Sequence, residues 1–148
     1  MTDRNIEKRI EEKRQMTTND KRGLVRILNI DAATCLAMGL LLVLAARPVG
    51  TITAIPGPVL FYAGVLLIPI GICMAVIGRA GTGSALAVWL VILGNVGWTL
   101  VSVALLAFIT PNVLGIALIL TQALIVGLLA WLEYRAWSSL GDRADAVA

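Results

Sequence analysis

The stretch Ser84–Tyr134, SALAVWLVILGNVGWTLVSVALLAFITPNVLGIALILTQALIVGLLAWLEY, decides the fold. It holds two long apolar runs joined only by Thr110-Pro111-Asn112. A helix needs about 20 apolar residues to cross a hydrocarbon core of about 30 Å. Each run is that long, and so short a turn leaves the two helices antiparallel. The deep polar residues of the chain gather here as well: Asn95, Thr99, Ser102, Thr121 and Gln122.

Composition extends this reading to the whole chain. Of 148 residues, 59% are hydrophobic and 14% charged, against about 25% charged in a soluble domain. Of the 21 charged side chains, 13 precede Asp31, and from Ala32 to Leu132 only Arg47 and Arg79 occur. So few charges cannot cover a water-facing surface, so lipid is the expected solvent. The net charge of +3 sits in a leader beside an apolar run. Attraction to anionic head groups accounts for it, and no nucleic-acid-binding motif is present. With no histidine, imidazole metal sites and bis-histidine haem are excluded, and the lack of a C-x-x-C argues against a four-helix thiol oxidase or quinone-linked disulfide enzyme.

Outward from the opening stretch, the expected fold is all-α. It is a polytopic membrane protein with an antiparallel bundle of four transmembrane helices behind a polar N-terminal segment. Residues 1–27 read as a charged tail with an interfacial lead-in. Leu24, Ile27 and Leu28 share one face of that lead-in, and Lys21, Arg22 and Arg26 surround the other. Helices are expected over 29–46, 59–78, 85–109 and 112–134, within a membrane domain of residues 28–137. Residues 138–148 read as a short disordered tail. The leader is too long for a signal-peptide n-region, so the first apolar run is expected to act as an uncleaved anchor.

Prolines and glycines punctuate the loops over 47–58 and 78–84. The second loop, Gly78-Arg79-Ala80-Gly81-Thr82-Gly83-Ser84, lacks the strand and lysine of a phosphate-binding loop. It reads as a flexible turn with Ser84 as N-cap. Gly64, Gly71, Ala75 and Gly78 form a small-residue stripe for a neighbouring helix, as do Ala33 with Ala37 and Cys35 with Gly39. Pro69 is expected to kink the second helix. Trp89, Trp131, Tyr134 and Trp137 form an aromatic belt at one boundary. The leader, second loop and C-terminal tail hold eleven of the twelve Lys and Arg residues. That asymmetry puts both termini on the cytoplasmic side.

Asn95, Thr99 and Ser102 share a helix face and are expected to meet Gln122 in a hydrogen-bonded patch near the midplane. An unpaired amide in hydrocarbon costs several kcal/mol. The patch therefore reads first as interhelical glue and alternatively as the lining of a ligand path. Trp98 reads as a core filler or as the wall of a hydrophobic groove. Arg26, Asp31, Arg79, Glu133 and Arg135 are expected at the cytoplasmic boundary, in salt bridges that fix the helix ends. The alternative is a cytoplasm-facing proton or cation path.

Small multidrug exporters also have four helices, but they carry a glutamate midway along the first. The expected helix interior from Ala32 to Ala46 has no acid, which departs from that pattern. The chain resembles instead a group of small four-helix integral membrane proteins of bacteria. The residues that carry the resemblance are Asp31-Ala32-Ala33, Asn95-x-x-Trp98, Thr121-Gln122-Ala123 and Leu132-Glu133-Tyr134. The resemblance covers Asp31 to Tyr134 and leaves the charged leader without a counterpart. It implies an inner-membrane bundle with no assigned activity.

With no nucleophile–base pair and no metal cluster, an enzyme is not expected. The expected function is a structural or accessory subunit of a membrane complex. Its partners would be lipids together with another membrane protein or further copies of the chain, and not nucleic acid. The alternatives are a small oligomeric transporter or channel, and a protein that binds lipid or a hydrophobic pigment. No other cofactor is expected.

Overall fold

In the computed structural model the residues from Asp3 to Thr53 form a single helical element, α1, with a kink at Ala45. The structure describes residues 3–80 and 84–145. Three more helices follow: α2 over Gly57–Ala80, α3 over Ala85–Leu105 and α4 over Val113–Asp145. All four are long and apolar enough to cross a membrane, over Lys21–Thr53, Gly57–Ala80, Ala85–Leu105 and Val113–Leu140.

The ends differ from the sequence expectations in instructive ways. The first loop, expected over 47–58, shrinks to the three residues between α1 and α2. Pro48 does not end α1. It removes one N–H and crowds the carbonyl of Leu44. The helix yields locally at Ala45 (φ −114°, ψ 19°) and then resumes. It stops at Ala54, which adopts a left-handed φ of 56°. That conformation costs a residue with a Cβ about 1–2 kcal/mol, and neighbouring bonds offset it. Thr53 Oγ1 accepts from Ile55 N at 3.4 Å, and Asn112 Nδ2 donates to Ile52 O at 2.7 Å. Asn112 N donates to Thr53 O at 3.1 Å. Asn112 Oδ1 also caps α4 by accepting from Gly115 N at 3.0 Å. One asparagine thus ties the α3–α4 turn to the end of α1.

At the other end of the chain, α4 continues to Asp145, so the disordered tail expected from residue 138 gives way to helix as far as it is described. α3 ends at Leu105, short of the expected 109, and residues 106–108 close it with i→i+3 bonds. Ser84 caps α3 as expected, accepting from Ala87 N at 3.4 Å. The remainder of the glycine-rich loop, Gly81 to Gly83, lies outside the described residues.

α1 packs against α2 and α4, and α3 packs against α4, while α2 and α3 barely touch. The α1–α2 contact is close because it is built from glycines. A Cβ on Gly64 would stand 2.7 Å from Gly39 O, and one on Gly71 would stand 2.8 Å from Leu36 Cγ and 3.1 Å from Ala32 O. The small-residue stripe of α2 therefore finds its partner on α1. The burial pattern inverts that of a water-soluble protein. Phe108 is 83% exposed and Leu44 is 75% exposed, whereas Asp31 and Glu133 are 0% exposed. Such an arrangement suits an apolar solvent.

Candidate functional site

Along α1, Leu24, Leu28, Asp31 and Cys35 recur in steps of four, three and four, which places them on one face. All four are buried. Asp31 lies ten residues inside the span that begins at Lys21, and Asn95 lies ten residues inside the span that begins at Ala85. Glu133 lies seven residues inside the span that ends at Leu140. At a rise of 1.5 Å per residue each is roughly 10–15 Å in from the same end.

There the three side chains meet. Asn95 Nδ2 donates to Asp31 Oδ2 at 2.6 Å and to Glu133 Oε2 at 3.2 Å. An amide nitrogen carries two protons, so one asparagine serves both carboxyls. Cys35 Sγ donates to Asp31 Oδ1 at 3.8 Å. Both carboxyls thus bond to the same amide group. Glu133 Oε1 has no partner among the described residues.

This arrangement corrects the expectation that Asp31 and Glu133 pair with Arg26, Arg79 and Arg135 at the boundary. No salt bridge joins these groups, for reasons of helical register. Arg26 and Asp31 are five residues apart, about 140° around the helix. Arg26 therefore faces outward while Asp31 faces inward. Arg135 is two residues beyond Glu133 and stacks on Trp131 instead, its Cζ 5.0 Å from the ring centroid. Arg79, in the last turn of α2, is exposed. Both acids lie deeper than expected because α1 and α4 extend past the boundaries assigned to them.

The polar patch forms only in part. Thr99 Oγ1 donates to Asn95 O at 2.9 Å and lies 3.4 Å from Ala123 O, tying α3 to α4. The amide of Asn95 turns to the carboxyls. Ser102 and Gln122 do not join it and instead line cavities. Trp98 is the pivot of that region. It lines three cavities of about 280, 240 and 450 Å³. The first reaches Asp31, Cys35 and Gln122, the second reaches Ser102, and the third reaches Asn95 and Cys73. Their walls are otherwise mainly apolar. Trp98 Nε1 is buried and has no acceptor among the described residues. An unpaired buried donor costs about 1–3 kcal/mol, so the cavities offer an unfilled hydrogen bond. The aromatic belt also forms in part, with the Trp89 and Tyr134 ring centroids 6.1 Å apart.

The fold and site define a class: an all-helical chain with four membrane-length helices and two acids joined by one amide in its interior. The chain matches no family model, no curated protein and no solved structure. Among the described residues no group of three or more His, Cys, Asp or Glu side chains could hold a metal ion.

Proposed function

We propose that the chain is a small non-enzymatic carrier of the bacterial inner membrane. In this reading its four helices form an antiparallel transmembrane bundle with both termini in the cytoplasm. It binds a lipophilic organic cation at Asp31 and Glu133 in exchange for a proton. The observation that carries the proposal is the facing pair of carboxyls, fully buried inside apolar spans with no basic partner. An ionisable side chain inside a membrane-spanning segment is costly when it lacks a partner of opposite charge. Interhelical bonding alone returns about 0.6 kcal/mol per bond, so glue is a poor reason to keep two acids there. The pair has room for one positive charge, and a proton or a cation fills it. The cavities around Trp98 supply apolar volume beside it, and the loose contact between α2 and α3 supplies access from the side.

Tetraphenylphosphonium is a suitable probe. The purified chain in lipid nanodiscs should bind it, more weakly as the solution is acidified, because protons compete for the same charge. Asp31→Asn and Glu133→Gln should keep their helical content and lose binding at least tenfold. Equal binding by parent and variants would end this proposal.

A second reading rests on the same loose seam. A Cβ added to Gly94, on the cavity wall between α2 and α3, would meet nothing within 4 Å. A helix of another protein or of a second copy fits such a surface, which keeps the accessory-subunit function in play. Gentle extraction from native membrane separates the two. A stable heteromeric complex supports the accessory role, and a homo-oligomer that moves the probe supports the carrier. A co-purified coloured lipid would instead make the groove at Trp98 a pigment site.

A further inference from the structure

The outward face of α1 carries a second feature, remote from the carboxyl pair. Arg22, Arg26, Asn29 and Ala33 recur in steps of four, three and four, and so form one stripe about 16 Å long. Lys21, Val25 and Ile30 flank it. Together with Thr18 these residues outline an open groove of about 610 Å³. The stripe points away from the interior, since Leu24, Leu28 and Asp31 occupy the opposite face and are 0% exposed.

Two properties say what covers this groove. Lys21, Arg22 and Arg26 are exposed, and none is in an ion pair with a described residue. The face therefore presents three positive charges that no described side chain compensates. The stripe is also ordered along its length. Cations come first, then the Asn29 amide, then Ile30 and Ala33, which run into the apolar span. A phospholipid presents its groups in the same order from water inward: phosphate, ester carbonyls, acyl chain. Arginine suits the first because its planar fork matches phosphate oxygens in bidentate fashion. Asn29 is held in place by α2, since its Oδ1 lies 3.1 Å from where a Cβ on Gly78 would be.

We propose that this groove is a binding site for an anionic phospholipid, with Lys21, Arg22 and Arg26 on the phosphate and Ile30 and Ala33 along the acyl chain. The site rests on membrane insertion and is independent of what the interior carries. A zwitterionic lipid brings its own ammonium group, which the three cations repel, so the site discriminates by headgroup charge. Each basic side chain near an anionic surface contributes enough that losing all three should lower the preference by roughly tenfold or more.

The test is native mass spectrometry of the full chain released from vesicles containing equal phosphatidylglycerol and phosphatidylcholine. The parent should retain phosphatidylglycerol preferentially. The triple variant Lys21→Gln, Arg22→Gln, Arg26→Gln should lose that preference, and Arg47→Gln, at the far end of α1, should keep it. Equal retention of both lipids by the parent would overturn the proposal, as would an unchanged triple variant or an equal loss with Arg47→Gln. Should the triple variant fail to fold, salt decides on the parent itself. The preference should fall steeply between low salt and 1 M, and persistence at 1 M would overturn the site.

Discussion

Two helix contacts in this molecule are built from similar materials and behave oppositely. Between α1 and α2, glycine backbones meet so closely that an added methyl at Gly64 would press on Gly39 O. Between α2 and α3, Gly94 has empty space beside it and Trp98 keeps an unpaired N–H. Small residues thus serve two ends: in one contact they remove a gap, and in the other they leave one. The close contact is mechanical, and the open one has the volume and the unpaired polar groups of a binding surface. Asp31 sits on α1, one helix of the close contact, and Asn95, which bonds to both acids, lines the open one.

Substitutions can break or sharpen this contrast. The largest effect belongs to Gly64→Leu, which should destabilise the fold by about 3 kcal/mol or more through overpacking, seen as a lowered midpoint in denaturant. Asn95→Leu comes next, at about 2–3 kcal/mol, because it removes the donor that two buried carboxyls share. Asn112→Ala should cost about 1–2 kcal/mol by releasing the cap of α4 and the tie to Ile52 O. Trp98→Phe should change stability by less than about 1 kcal/mol, since the lost N–H had no partner to leave behind. Gly94→Leu should be the mildest for stability and should still abolish probe binding by filling the cleft. A large loss of stability in Gly94→Leu, with little in Gly64→Leu, would reverse the assignment of the two contacts.

The helices and their seams were largely legible in the sequence. The apolar runs announced four helices. The stripe of Gly64, Gly71 and Gly78 announced a close neighbour, and Ser84 announced its own cap. The site was half legible. Asn95, Asp31 and Glu133 each stood out, yet they were assigned to separate tasks because the ends of α1 and α4 were drawn too short. Turn residues and charge set those ends, and both misled. Pro48 bends α1 without ending it, and the charged leader continues the same helix. The usable signal was the face of Leu24 and Leu28, which extends by steps of three and four onto Asp31 and Cys35. Followed through, it turns Asp31 inward, away from Arg26. The empty space around Trp98 had no signature in the sequence, because a cavity is set by what neighbouring helices fail to fill.

The account stands on one amide joining two acids inside the protein. Nuclear magnetic resonance of the Asn95 side-chain amide, in nitrogen-15-labelled chain in nanodiscs, reads that contact directly. The resonance should resist exchange with water and should move on Asp31→Asn and again on Glu133→Gln. A freely exchanging amide, or one that either substitution leaves in place, would contradict the shared site.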